Sequence, residues 1–286
     1  MAAPPSSPAP AAPSAPGLTR EISLPPPTAP DPSVLLVGVA HVLDLESGLD
    51  RVLAAYHPKA LAVELDPERA QLLSSRVQER TSAQAEGKPM PARPRSEAPL
   101  TLRLWAKLQD RFASDLGGVP GEEMLQVGAF AKRRSLPCFL VDDPLRQVAP
   151  RLLGALSPRE RVKLLVSTLV ALFIPTRVVE REIHQYEEHR EEYLGVLREQ
   201  YPTVTRVLLD ERNAHMAERI AALARSYGPV AAVVGDAHVG GLAQALAGTG
   251  FPVKEVRLEA LRAAEHAPLP GAASVVRPPP KKDQPA

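Results

Sequence analysis

Two stretches of the chain, far apart in sequence, end an apolar run in the same way. VGVAHV (37–42) and VGDAHV (234–239) share the pattern Val-Gly-x-Ala-His, which places His41 and His238 just beyond a buried strand. Neutral imidazole is a ligand of zinc and other borderline divalent metals, and it is also a common general base. Either histidine alone is more often a surface or hydrogen-bonded residue, but the repeated design favours one site built from both.

Carboxylates follow two other apolar runs. Glu64 comes directly after ALAV, and Asp142 follows PCFLV. Together with the histidines they form a ligand set for Zn, Mn or Co, and such a metal lowers the pKa of bound water from about 15.7 towards 7. The alternative is structural: Glu64 caps the helix that Asp66 opens, and Asp142 caps a helix that begins after Pro144.

A further carboxylate lies on a helix face that is otherwise apolar. Counting at helical spacing from Val204 and Leu208, the same face continues to Glu211 and His215. A carboxylate is costly on a buried face unless it has a partner. Glu211 is therefore expected either to lie against an internal cation or to point into a cleft.

The elements that position these residues alternate between strands and helices. Apolar runs at 33–39, 60–65, 137–141 and 230–234 predict four buried strands, and the charged run at 251–259 predicts an edge strand. Strand–helix alternation favours parallel pairing with right-handed crossovers. We therefore predict an α/β fold with a mostly parallel sheet, flanking helices and a large helical insertion after the third strand. The polar groups then meet where the strands end.

Helix boundaries are marked by local signals. Asp66-Pro67 reads as an N-cap followed by a first-turn proline, and Ser157 and Glu160 form a capping box. Gly228 is expected to end a helix. Helices are also predicted over 101–116 and over 177–200, and the second, strongly charged helix either lies in a homodimer interface or faces water. His184 and His189 in that helix are expected to be solvated.

Composition divides the chain into one folded domain and three polar segments. Residues 1–32 and 267–286 are rich in Pro and Ala and are expected to be disordered, and 81–99 reads as a flexible insertion. The domain then covers 33–266.

The bulk composition excludes several classes of function. A net charge of +1 and an aromatic content of 4% give no reason to expect nucleic-acid binding. The most apolar stretch, 162–174, is too short to be a transmembrane segment. The N-terminus lacks a secretory signal, and the single cysteine, Cys138, reads as a core residue in a reducing compartment. These features predict a cytoplasmic protein.

Several motifs together resemble one protein family. The segments are similar, in the same order, to motifs of the TraB/PrgY proteins of the TraB–PrgY–GumN–Tiki superfamily: GVAHV (38–42), LAVELDPER (61–69), GEEM (121–124), VDDP (141–144), YPTVTRVLLDERNAHMAERI (201–220) and VVGDAHVGGL (233–242). The resemblance implies a core like that of erythromycin-esterase and ChaN-type proteins. It also implies a metal-dependent protease centre of the kind proposed for Tiki relatives.

The resemblance assigns roles to particular positions. His41, His238 and Glu64 correspond to the metal centre, and the accompanying motif residues are Arg69, Glu123 (less so Glu122), Asp142, Glu211 and Arg212. Three positions depart from the usual pattern: Asp143 replaces an arginine, Asn213 an aspartate and Gly240 a proline. The first departure weakens the case for an anionic subsite.

Three hypotheses follow for the function. The first is a metal-dependent hydrolase acting on a peptide or a similar small amide, with Glu64 as third ligand or base and Glu211 as ligand or proton shuttle. In the second, a non-catalytic module binds a peptide or small ligand in the same cleft. The third is a metal-free, esterase-like hydrolase with a histidine base.

Overall fold

The computed structural model describes residues 31–40, 46–85, 87, 121–171 and 189–266. Outside the described residues lie both terminal segments, the predicted helix at 101–116, the first part of the predicted charged helix, most of the predicted flexible insertion, His41 and His184.

A five-stranded sheet organises the described part of the chain. All strand pairs are parallel, and the order across the sheet is β3-β2-β4-β1-β5. The strands are β1 (Ser33–Val39), β2 (Ala60–Val63), β3 (Cys138–Leu140), β4 (Pro229–Gly235) and β5 (Val253–Val256). The predicted parallel α/β class is confirmed.

Helices cover both faces of this sheet and form the connections between strands. They are α1 (Glu46–Tyr56), α2 (Pro67–Ala85), α3 (Glu122–Arg134), α4 (Leu145–Ala155), α5 (Pro158–Ala171), α6 (Arg190–Gln200), α7 (Pro202–Thr205), α8 (Glu211–Tyr227), α9 (Asp236–Ala247) and α10 (Leu258–His266). A π-helical turn, Arg206–Asp210, joins α7 to α8.

The alternation of side chains along the strands separates two cores. In β1, Leu35 and Val37 pack with α1 and α3, whereas Val34 and Leu36 pack on the other face with α8 and α9. The same period of two holds in β2, where Ala60 and Ala62 lie on the α8 side. The next even-numbered residue is Glu64, so the strand directs it towards α8.

The outer strand and the helical insertion agree with the sequence prediction. β5 pairs only with β1 among the described strands, and its Lys254 and Glu255 are exposed, as expected of an edge. The segment from α4 to α8 lies between β3 and β4 and has a small apolar core of its own, formed by Val148, Leu152 and neighbours.

The helix expected to end at Gly228 is not regular. Its hydrogen bonding widens to a π-helix over Arg206–Asp210 before α8 begins at Glu211. A π-helical turn contains one residue more than an α-helical turn. After it there is a lag of about one position: each face of the helix is occupied by the residue that follows the one expected from regular α-helical spacing. This lag decides which side chain of α8 reaches the site.

The predicted helix ends are mostly those observed. Asp66 Oδ1 accepts hydrogen bonds from the backbone N–H groups of Glu68 and Arg69, at 2.9 and 3.1 Å. Ser157 and Glu160 exchange the two bonds of a capping box. α8 ends at Gly228, whose φ of 92° suits glycine.

Helix α2 is longer than predicted. It continues through Ala85, into the stretch read as a flexible insertion, and Ala83 is buried near its end. The Ala and Gln residues of this stretch favour helix, which outweighs the polar composition that suggested a loop.

Two further sequence expectations concern burial. Cys138 is fully buried, and burial raises the pKa of its thiol to about 12, so it is an inert core residue. In the part of the chain that the structure describes, no helix is long and apolar enough to cross a membrane.

Candidate functional site

The carboxyl ends of neighbouring strands bring the predicted polar residues together. β2 lies between β3 and β4, so Glu64, Asp142 and His238 follow three adjacent strands. The connection after β2 leads to β3 on one side, and the connection after β4 leads to β5 on the other. Ligand sites of open α/β sheets form at such a switch point, where two connections leave in opposite directions.

Glu64 bridges the two strands that flank this point. Its backbone N–H donates to the carbonyl of Val233 at 3.1 Å, which extends the β2–β4 ladder by one residue. Its Oε2 accepts a hydrogen bond from the backbone N–H of Gly235 at 2.7 Å. The side chain is 4% exposed, and its other oxygen points away from the strand towards Arg212 and His238. The start of α2 is capped by Asp66, whereas Glu64 faces Gly235, Arg212 and His238.

Arg212 occupies the centre of the cluster. Its Nε and Nη2 donate to the two oxygens of Asp142, at 2.9 and 2.7 Å, and Nη2 also donates to Glu64 Oε1. Burial alone would lower the pKa of Arg212, but the carboxylates of Glu64 and Asp142 outweigh it and raise that pKa above its usual value. The guanidinium is a permanent cation in this site.

Asp142 is the second buried carboxylate of the cluster. It pairs with Arg69 Nη1 at 2.8 Å in addition to Arg212, and its side chain is 2% exposed. It does not cap α4, whose first turn has Pro144 at the N-cap and no side-chain cap bond. Two buried carboxylates and two guanidiniums thus balance one another, as buried charges must.

His238 is held by a residue of α8. Its Nδ1 lies 2.7 Å from Asn213 Oδ1, an atom that can only accept, so Nδ1 bears a proton and donates it. In the neutral ring Nε2 is then an acceptor. It faces Arg212 Nη1 at 3.2 Å and Glu64 Oε1 at 3.2 Å.

Glycine brings α9 close enough for this contact. A Cβ added at Gly241 would lie 2.2 Å from Asn213 Nδ2. The absence of a side chain at Gly241 therefore lets Asn213 fit between α8 and α9, where it reaches His238.

The structure brings five of the predicted site residues into one cluster: Glu64, Arg69, Asp142, Arg212 and His238. His41 lies outside the described residues, but β1, which precedes it, pairs with β4 up to Val39 opposite Gly235.

Glu211 lies elsewhere. It contacts Arg206 at 2.6 Å and Arg151 at 3.9 Å, and its side chain is 31% exposed. The count that placed it on the inward face assumed a regular helix, and after the π-helical turn the inward position belongs to Arg212.

Glu123 lies in the first turn of α3 and is 3% exposed. α3 covers the sheet face opposite α8. Glu122 beside it pairs with Arg80.

Sequence reasoning missed three groups near the site. Asn213 was noted only as a departure from a family pattern, although it orients His238. Asp236, the variable position of the second histidine motif, is 4% exposed and pairs with Arg190 at 2.8 Å. Asp143 pairs with His215 at 2.6 Å. For Asp143 and Asp236 the available signal was an acid close in sequence to Asp142 and His238, but the partners of both acids are distant in sequence.

Fold and site define a parallel α/β protein with a charged cluster at the carboxyl edge of its sheet. A family model described as the TraB/PrgY/gumN family matches residues 28–255, and the chain belongs to this family. The resemblance read from the motifs is thereby confirmed.

Among curated proteins, an uncharacterized protein of Methanocaldococcus jannaschii is 25% identical over 217 residues, which make up 74% of this chain and 53% of that protein. The chain thus spans about half the length of this curated relative. No solved structure matches the chain.

The arrangement at His238 and Glu64 can hold a positively charged group. When the ring of His238 is neutral, its Nε2 and Oε1 of Glu64 are both acceptors, and two acceptors 3.2 Å apart require a cation or a proton beside them. Arg212 supplies that positive charge in the structure. The same pair of atoms is a candidate ligand pair for a metal ion.

Proposed function

We propose that the protein is a hydrolase of peptides or similar small amides, with its reaction centre at Glu64 and His238. The observation that most supports this is that His238 Nε2 and Glu64 Oε1 lie 3.2 Å apart. The other polar atom of each side chain is held by a hydrogen bond. Asn213 orients the imidazole and the backbone of Gly235 orients the carboxylate. Preorganised acceptors of this kind suit general-base catalysis or metal binding.

The spacing of two of the donors fits a divalent metal, which would take the place of the Arg212 contacts with them. Two ligand atoms that each lie roughly 2.1 Å from a tetrahedral ion are roughly 3.3 to 3.4 Å apart, close to the 3.2 Å between Nε2 and Oε1. In the proposal His41 and His238 are the two histidine ligands, and Mn, Co and Zn are the candidate ions. Searched over the described residues, which exclude His41, no group of three His, Cys, Asp or Glu side chains could hold a metal.

Bound there, the ion would lower the pKa of a water molecule and polarise a carbonyl. The chain's own residues have separate tasks. Glu64 is the third ligand or accepts a proton from the attacking water. Arg212, whose Nη1 and Nη2 already face Nε2 and Oε1, stabilises negative charge that develops on the substrate oxygen. Arg69 keeps Asp142, and through it Arg212, in place.

A metal titration combined with a cleavage assay tests this proposal. Chelated full-length protein is titrated with Mn, Co and Zn by calorimetry, and peptide cleavage is followed by mass spectrometry. His41→Ala, His238→Ala and Glu64→Gln are expected to weaken metal binding at least about tenfold and to abolish cleavage. His189→Ala is the matched control, because that histidine is half-exposed at the start of α6. Metal binding and cleavage that survive in all three site variants would refute the proposal.

A second candidate is a binding module without turnover. It is favoured by Arg212, because the guanidinium already occupies the place where the two acceptors converge and balances both carboxylates. In this case the cleft retains a peptide or small ligand through the same residues. Equilibrium dialysis that shows retention of the ligand, with no product in any metal, would favour the module over the hydrolase. Cleavage that withstands exhaustive chelation would instead favour the metal-free hydrolase.

A further inference from the structure

A second charged group lies beside the Arg212 cluster, around Asp143. This carboxylate contacts His215 Nδ1 at 2.6 Å, Arg219 Nη2 at 3.3 Å and Arg151 Nη2 at 3.5 Å. Its partners come from α8 and from α4, so the group joins the helical insertion to the loop after β3.

The exposure of the four side chains is unequal. Asp143 is 8% exposed, whereas Arg219, Arg151 and His215 are 36%, 40% and 45% exposed. The negative charge is therefore covered by its partners, and guanidinium donors of Arg151 and Arg219 meet solvent.

The charges of this group do not cancel. One carboxylate faces two guanidiniums, and a third arginine, Arg206, balances Glu211, the other acid near Arg151. Burial would raise the pKa of Asp143, but His215, Arg219 and Arg151 together lower it, so the carboxylate stays ionised and holds them in place. An excess positive charge remains at the surface.

Donor capacity also remains unused. Among the contacts of the described residues, Arg151 uses only Nη2, which leaves its Nε and Nη1 as donors. Guanidinium presents its donors in a planar fork that matches the oxygens of a carboxylate or phosphate.

The group adjoins the proposed reaction centre. Asp143 follows Asp142 directly, and Arg219 Nη1 donates to the carbonyls of Val141 and Asp142 at 2.7 and 3.0 Å. His215 lies one helical turn after Arg212 on α8. A ligand held at Arg151 and Arg219 would thus extend along α8 towards Glu64 and His238.

We propose that Arg151 and Arg219, which flank the aspartate found in place of the arginine of the family pattern, form an oxyanion-binding site that anchors an anionic group of the ligand. Both a terminal carboxylate of a peptide and a phosphate have this chemistry. The role of the site as a substrate anchor rests on the proposed function, but the binding of the anion does not.

Calorimetry on the full-length protein at low salt tests the proposal with three probes. These are an N-acetylated dipeptide with a free carboxyl terminus, the same dipeptide as its amide, and inorganic phosphate. We expect the free acid to bind at least about tenfold more tightly than the amide. If phosphate binds and the two dipeptides do not differ, the ligand is a phosphate compound. Absence of saturable binding by all three probes overturns the proposal.

Substitutions test which residues bind the anion. Arg151→Gln and Arg219→Gln are each expected to weaken the binding about tenfold, and Arg198→Gln, a half-exposed arginine on α6 that pairs with Asp210, is the matched control. An equal loss in the control overturns the proposal, because the attraction is then non-specific. Arg219 also donates to two backbone carbonyls, so Arg219→Gln could fail to fold. In that case Arg151→Gln, shown to have an unchanged thermal midpoint, decides the question.

One variant separates this site from the reaction centre. His238→Ala is expected to lose cleavage while it keeps the affinity for the free acid. Retained anion binding with no cleavage in any protein would refute the hydrolase and leave the anion site standing. Cleavage without anion binding would refute the anion site and leave the hydrolase standing.

Discussion

At the scale of single residues, Arg212 has the widest role in the site. Its guanidinium contacts the residues that follow β2, β3 and β4, because Glu64, Asp142 and His238 all lie within reach of it. A planar group with five donors can serve three acceptors at once, which an ammonium group cannot do in the same geometry.

Removal of this guanidinium should destabilise the fold as well as the site. Arg212→Met leaves Glu64 and Asp142 buried without their main counter-charge, and we expect a loss of about 3–5 kcal/mol in the free energy of unfolding. Urea denaturation followed by circular dichroism measures it.

Arg206→Met is the control for that substitution, since Arg206 pairs with Glu211 at the surface and is 55% exposed. Its cost should stay within about 1 kcal/mol. Equal costs for the two variants would mean that the Arg212 network does not stabilise the fold.

At the scale of elements, two local devices set the geometry of the helical insertion. The π-helical turn rotates α8 so that Arg212 and Asn213 point inwards. The capping box fixes the start of α5: Glu160 accepts from the backbone of Ser157 and also from the backbone and hydroxyl of Thr203, which ties α5 to α7.

The capping contacts predict a pH dependence of stability. Hydrogen bonds from Ser157, and then from Thr203, lower the pKa of Glu160 from 4.5 to about 2, although its slight burial opposes this. A depressed pKa means that the folded state favours the ionised form, so the contribution is present above pH 4.5 and is lost as the pH falls towards 2.

We therefore expect Glu160→Gln to lower the Tm at neutral pH, and this difference from the parent protein to shrink as the pH drops from 4.5 to about 2. Thermal scans by circular dichroism at several pH values measure it. Glu199→Gln, an exposed glutamate on α6, should show no such trend. A difference that stays constant with pH would contradict the assignment.

At the scale of the whole molecule, Asp236 links the sheet to three helices. It begins α9, accepts from the backbone N–H of Leu258 at the start of α10, and pairs with Arg190 at the start of α6. Gly38 in β1 makes room for it, since a Cβ there would lie 2.3 Å from Asp236 Oδ1 and 3.1 Å from its Cα.

We therefore expect Gly38→Ala to disturb more of the molecule than β1 alone. The backbone of Asp236 cannot yield easily, so we expect a loss of about 1–3 kcal/mol in unfolding free energy. We also expect faster hydrogen exchange in α6 and α10, because both are held through Asp236.

Gly195→Ala is the matched control for Gly38→Ala. Nothing lies within 4 Å of a Cβ at Gly195 in the middle of α6, so this variant should gain about 0.5–1 kcal/mol. Tolerance of alanine at Gly38, with hydrogen exchange unchanged, would show that the close approach has no role in the assembly of the fold.

Much of this architecture could be read from the sequence, because its signals are local. Apolar runs of strand length, the Asp66 cap and the Ser157–Glu160 box each depend on a few neighbouring residues, and all are confirmed. The expectation that Glu64, Asp142 and His238 meet at one edge followed from parallel pairing alone.

Other features depend on contacts between residues far apart in the chain. The strand order placed Glu64 beside Gly235, and the π-helical turn exchanged Glu211 for Arg212 at the centre. The partnership of Asn213 with His238 spans two helices whose packing no local pattern specifies. The sequence by itself thus determined which elements form and where their polar ends lie. Only the tertiary structure decided which charges pair, because the free energy of a buried charge depends on the distance to its partner.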